Sequence, residues 1–111
     1  MTSFDKTRRL LTKSDYDYVF AKAKKITTPE FIVLYRDNSM GFSRIGLAFS
    51  RKAIAKAHDR NRVKRVVRET FRIQHLIAVD IVVLAKPGAG RIQQETIIAS
   101  LGKIWDKLCK K

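Results

Sequence analysis

Apolar spacing divides the chain into helical and extended segments. In "SDYDYVFAKA" (14–23), Tyr16, Val19, Phe20 and Ala23 recur at i, i+3, i+4 and i+7, which places them on one helix face. Ser14 can accept a backbone N–H at the start, and Asp17 sits near the positive end of the helix dipole. "FIVLYR" (31–36) is rich in β-branched and aromatic residues and reads as a strand. Being almost continuously apolar, it is expected to be covered on both faces. "DNSMGF" (37–42) has turn composition, and "RIGLAFS" (44–50) reads as the next strand, expected antiparallel to the first. A helix is expected over 52–74, then a strand in "DIVVLAK" (80–86) and a loop in "PGAG" (87–90). The last helix, over 93–107, puts Ile97, Leu101, Ile104, Trp105 and Leu108 on one side. A short extra strand around Ile26 completes the order αβββαβα. This pattern predicts a single α+β domain over 1–111, an approximately four-stranded sheet packed with three helices.

The segment "HDRNRVKRVVRETFR" (58–72) changes the picture from fold to partner. At 100° per residue, Val63, Val66, Val67, Thr70 and Phe71 cluster as a core stripe. Arg60, Asn61, Lys64, Arg65, Arg68 and Arg72 form a broad opposite stripe, with Arg62 at its border. Only Asp59 and Glu69 oppose these charges, and the pairs Arg60/Lys64 and Lys64/Arg68 are like-charged at i,i+4. Each such pair costs a few tenths of a kcal/mol. The arrangement makes sense if phosphates supply the missing charge, for which the planar guanidinium fork is suited. Asn61 adds an amide able to reach a base edge, a ribose or a metal-bound water.

The whole-chain balance agrees. Lys and Arg number 24 against 10 acids, a formal net charge of +14, so a polyanionic partner is the default. No apolar run approaches the roughly 18 residues needed to span a membrane. Asp5, Lys6, Arg8 and Arg9 interrupt any signal-peptide core. The single Cys109 forms no internal disulfide and fits a reducing cytosol. His58 and His75 are far apart, the aspartates show no paired-carboxylate spacing, and "KPGAG" lacks the GKS/T end of a phosphate loop. No catalytic residue and no metal ligand set is read from the chain.

"AHDRNRVKRVVRETFR" resembles the RNR signature of the bacterial ribonuclease P protein subunit. "RRLLTKSDYDYVF", "RIGLAFSRK", "DIVVLAKPGA" and "SLGKIWDKL" are similar to the other segments of that family, in the same order and over nearly the whole chain. The resemblance implies a fold like the second domain of ribosomal protein S5. It implies an accessory subunit of a ribonucleoprotein endoribonuclease, a cytoplasmic hydrolase that removes the 5′ leader from precursor tRNA. The catalyst would be the RNA subunit using Mg²⁺, with no organic cofactor, no protein partner and no membrane. Carried onto this sequence, the RNR helix surface would be Arg60, Asn61, Arg62, Lys64, Arg65 and Arg68. Arg51, Lys52 and Arg72 would extend the basic patch.

The resemblance further implies a cleft for the single-stranded leader lined by Tyr16, Phe20, Ile32 and Leu34. Stacking rings beside a cationic rim suit unpaired nucleotides. Taken alone, Tyr16 and Phe20 read equally as core residues. Two positions depart from the family: Tyr16 stands where Phe is frequent, and Leu34 where some members carry an aromatic. Phe31, Val33 and Tyr35 point the other way, toward the core. Other readings are a ribosomal-type RNA binder, a major-groove DNA binder and a protein-only nuclease. The first lacks need of an aromatic cleft. The second would want a helix-turn-helix partner. The third needs clustered carboxylates for metal.

Overall fold

The computed structural model describes residues 8–109, and its most apolar strand is the centre of the sheet. The elements are α1 (Lys13–Ala21), β1 (Lys24–Thr27), β2 (Phe31–Asp37), β3 (Arg44–Ala48), α2 (Ala57–Arg72), β4 (Val79–Ala85), a 3₁₀ turn (Ala89–Arg91) and α3 (Gln94–Leu108). The α+β class and the αβββαβα order expected from the sequence are both present. The sheet order is β1-β2-β4-β3, with β4 antiparallel to β2 and parallel to β3. The strands expected over 31–36 and 44–50 do run in opposite directions, but they are not neighbours, because β4 lies between them. The parallel β3–β4 pair needs a crossover, and α2 supplies it.

Burial follows this topology. Val79 to Val83 are all buried, so β4 rather than β2 is the strand covered on both faces. In β2, Phe31 and Val33 are buried while Ile32 and Leu34 are only half-buried. On one face of the sheet, Val63, Val67 and Phe71 of α2 and Ile97, Leu101, Ile104 and Trp105 of α3 pack with Phe31, Val33, Ile45, Ile81 and Val83. Phe71 and Trp105 meet edge-on at 5.7 Å, and the Trp105 indole N–H donates to the Thr70 hydroxyl at 3.0 Å. On the other face a smaller cluster joins α1 to the sheet through Leu10, Val19 and Val82, with Tyr16, Ala23 and Leu34 against it.

Two boundaries differ from the sequence expectation for local reasons. The first helix is capped by Thr12 rather than Ser14. Thr12 accepts from the Asp15 N–H while the Asp15 carboxylate reaches back to the Thr12 N–H. The second helix starts at Ala57, not residue 52. There the Ser50 hydroxyl and carbonyl accept from the Ala53 and Ile54 N–H groups, turning the chain before α2 begins.

Candidate nucleic-acid interface

The exposed side of α2 is the first half of the site. Val63, Val66, Val67 and Phe71 are buried, as the spacing requires, which turns the cations away from the sheet. A groove along the helix is lined by Arg9, Asn61, Lys64, Arg65, Arg68, Glu69 and Arg72. The salt bridges among the described residues, Lys13–Asp17, Arg44–Asp15 and Arg44–Asp80, all lie elsewhere. The groove therefore gathers the cations of α2 beside one acid, Glu69, and none of these three bridges reaches it. Arg51 and Lys52 are exposed in the turn ahead of the helix.

Arg9 was not legible as a site residue. It enters from the N-terminal segment, which runs parallel to β3 through the Arg9–Ile45 bridge and the Leu10 N–H to Ile45 carbonyl bond of 2.9 Å. This segment also covers the edge of β3. Arg8, beside it, stacks over the Phe71 ring at 4.6 Å and donates to the Arg72 carbonyl at 3.3 Å. The doublet "RR" before an apolar pair is the only sequence signal for either role.

Arg60 and Arg62 stand apart from the other α2 cations. Arg60 Nη1 donates to the Ile54 and Ala55 carbonyls, each at 3.0 Å. Arg62 Nη2 donates to the Gly90 carbonyl, also at 3.0 Å. Both share the helix but not the groove lining.

The second half is on the α1 face of the sheet. Strand register aligns Ala48, Leu84, Ile32 and Thr27 in one row, and Gly46, Val82, Leu34 and Lys25 in the next. Tyr16 lies directly over the second row: a Cβ on Gly46 would come within 2.5 Å of its Oη, so any larger residue there would displace the ring. Phe20 is 47% exposed, a large ring left out of the core on the flank of α1. Tyr16, Ile32 and Leu34 thus lie on the α1 side of the sheet, and Phe20 projects from α1 itself. Their degrees of exposure differ: Phe20 is open, and the other three are half-buried.

The N-terminal segment joins the two halves: Arg9 lines the groove, while Leu10 beside it packs in the cluster that includes Tyr16 and Leu34. Burial, and then the neighbouring Arg9 charge, push the Arg68 guanidinium below the ordinary value, while Tyr16 acts in the opposite sense.

A buried ionic network fixes α1 in this place. Asp80, 1% exposed, accepts from Arg44 Nε at 2.9 Å, Arg44 Nη2 at 2.7 Å and Asn38 Nδ2 at 2.7 Å. The hydrogen bonds from Arg44 to Asp80 raise the Arg44 value against the burial that lowers it. Arg44 Nη2 also stands 3.9 Å from Asp15 Oδ1. Burial opposes the Asp15 charge, but the Leu11 and Thr12 N–H groups and Arg44 outweigh it and hold the carboxyl below the usual range. Asp15 precedes Tyr16, so the network anchors the end of the helix that carries the cleft.

Among the described residues, no three His, Cys, Asp or Glu side chains gather as a metal ligand set. Nor is any described helix long and apolar enough to cross a membrane.

The comparisons with known proteins agree with one another. The sequence profile described as Ribonuclease P matches residues 4–109. The ribonuclease P protein component of Legionella pneumophila (strain Corby) is 55% identical over 108 residues, covering 97% of this chain and 95% of the relative. That of Escherichia coli O157:H7 (strain EC4115 / EHEC) is 41% identical over 110 residues, covering 97% and 92%. The structure of the Staphylococcus aureus RNase P protein superposes with a TM-score of 0.83 at 27% identity, over 90% of this chain and 94% of that one. The Thermotoga maritima RNase P protein gives 0.79 at 31% identity, over 92% and 98%. The chain belongs to the ribonuclease P protein family.

Proposed function

We propose that this chain is the protein subunit of a cytoplasmic ribonuclease P, binding a catalytic RNA through the α2 groove and the 5′ leader of precursor tRNA through the α1 cleft. Membership of the family implies a place in a tRNA-processing endoribonuclease. The observation that carries the finer reading is the link between the two surfaces through Arg9, which lines the groove, and Leu10, which packs in the cluster with Tyr16 and Leu34. A groove in which cations outnumber acids suits a folded RNA backbone, and an exposed ring beside an apolar sheet floor suits unpaired bases. RNA running from one surface to the other would meet charge first and stacking second.

In this reading Asn61, Lys64, Arg65, Arg68 and Arg72 face the RNA subunit, with Arg60 and Arg62 on the same helix and Arg51 and Lys52 at its entrance. Tyr16, Phe20, Ile32 and Leu34 hold the leader. The protein neutralises phosphates and orients substrate, and hydrolysis with Mg²⁺ takes place on the RNA. The test is cleavage of precursor tRNA at low magnesium by RNA alone, protein alone and the mixture. Efficient cutting at the mature 5′ end by the mixture only is expected. If the protein binds RNA tightly but adds nothing, it is a plain RNA binder.

The cleft has its own test. Phe20→Ala is expected to lower affinity for leader-bearing tRNA by about 1–3 kcal/mol, the usual worth of one stacked base. Affinity for mature tRNA should stay the same. Because Phe20 is exposed, the melting temperature should change little. Equal loss for both RNAs would remove the leader cleft from this reading.

A further inference from the structure

Within the RNR helix the cations fall into two sets that sequence spacing does not separate. The side chains of Asn61, Lys64, Arg65 and Arg68 line the open groove. Those of Arg60 and Arg62 end on backbone carbonyls of two loops, the 51–56 turn and the 3₁₀ turn after β4. The loops are also joined to each other by the Gly88 N–H to Ala53 carbonyl bond of 3.3 Å. Their junction is tight: a Cβ on Gly90 would come within 2.7 Å of Ile54 Cγ2 and 3.2 Å of Asp59 Cβ. Between them the loops present Arg51, Lys52, Lys56 and Arg91, all exposed. A cleft lined by Lys52, Lys56, Asp59 and Arg91 lies at this junction.

We infer that Arg60 and Arg62 are positioning residues, which lock the two loops so that Lys52, Lys56 and Arg91 form a second cationic row for RNA phosphates. The inference rests on the proposed RNA-binding role of the helix. Loop cations lose affinity when the loop must be ordered on binding, because that entropy is then drawn from the binding energy. Arg60 Nη1, donating to two successive carbonyls, ties the 51–56 turn to the helix at two points. The groove cations need no such support, since the helix itself orders them.

The test is a set of binding cycles with the full-length chain and its cognate ribonuclease P RNA transcript. Arg62→Ala is expected to lower affinity about 3- to 10-fold, the value of one ordinary hydrogen bond. In a chain already carrying Lys52→Ala and Arg91→Ala, the same substitution should cost less than about twofold, within the limits of additivity. Arg65→Ala should cost the same in both backgrounds. Amide hydrogen exchange should rise in 51–56 and 86–91 of the Arg62→Ala protein and stay unchanged in the Arg65→Ala protein. An equal cost of Arg62→Ala in both backgrounds would make Arg62 a direct RNA contact and overturn the inference alone. If Arg65→Ala and the loop variants all leave affinity unchanged, the RNA-binding reading itself falls. Should Arg62→Ala fail to fold, Arg62→Gln carries the same cycle.

Discussion

Replacing Arg65 and Arg68 together by alanine is expected to weaken binding of the cognate ribonuclease P RNA on the order of 100-fold at low salt. The melting temperature should stay the same or rise slightly. The two effects have opposite signs because the same charges act on different partners. In the protein alone, Arg68 sits beside Arg9 and across one turn from Lys64, so its removal relieves repulsion. In the complex, each guanidinium replaces counterions on a phosphate, and the release of those ions drives binding. The slope of log affinity against log salt should fall by about 1.5, near 0.7 to 0.9 for each lost phosphate contact. Magnesium competes for the same phosphates, so the loss of cleavage should be larger at low magnesium than at high. Lys103→Ala, an exposed cation on α3 outside the groove lining, serves as the control and should change neither slope nor affinity. A loss that is independent of salt and magnesium and accompanied by a lower melting temperature would assign Arg65 and Arg68 to the fold instead.

The parts of this interface written in helical period were readable before the structure. Val63, Val66, Val67 and Phe71 are buried, so the cationic stripe had to face outward. The apolar side of α3 is likewise buried from Ile97 to Leu108. Alternation along β2 also placed Ile32 and Leu34 opposite Phe31 and Val33. What the period cannot encode is pairing between distant segments. The turn between β2 and β3 looks like a hairpin connection, yet β4 enters the sheet between them, a contact across the whole of α2. The Arg44–Asp80 pair joins residues 36 apart on two strands, and nothing local marks either partner. Side-chain direction along a helix was a second limit. A helical wheel gives the angle of a Cβ, but the long arms of Arg60 and Arg62 reach back to the loops at 54–55 and 90. Arg9 lies in a segment without period, and only the fold brings it to α2.

The buried ionic network should show the largest stability effect in the molecule. Asp80→Ala is expected to cost about 3–5 kcal/mol, the usual penalty for removing one partner of a buried pair. Three donor hydrogens, two from Arg44 and one from Asn38, lose their acceptor, and the Arg44 side chain is only 18% exposed. Arg44→Ala should be comparably damaging, because it leaves the Asp80 carboxylate in a site from which water is excluded. The double replacement Asp80→Val with Arg44→Leu should recover much of the loss, since an apolar pair needs no solvation there. Chemical denaturation of the four proteins measures the coupling. Additive losses would mean that the pair contributes nothing beyond its packing volume. The double variant also separates stability from function. It restores the core but removes the cation that stands 3.9 Å from Asp15, so the first turn of α1 keeps its Thr12 cap and loses its tie to the sheet. Its Asp15 contribution to stability in the native protein, present above the ordinary carboxylate range and lost as the pH falls through the lowered folded value, should shrink. If the network positions the cleft, the recovered protein should still bind leader-bearing tRNA more weakly than the native chain. Full leader affinity in the stable double variant would confine Asp80 and Arg44 to holding the sheet together.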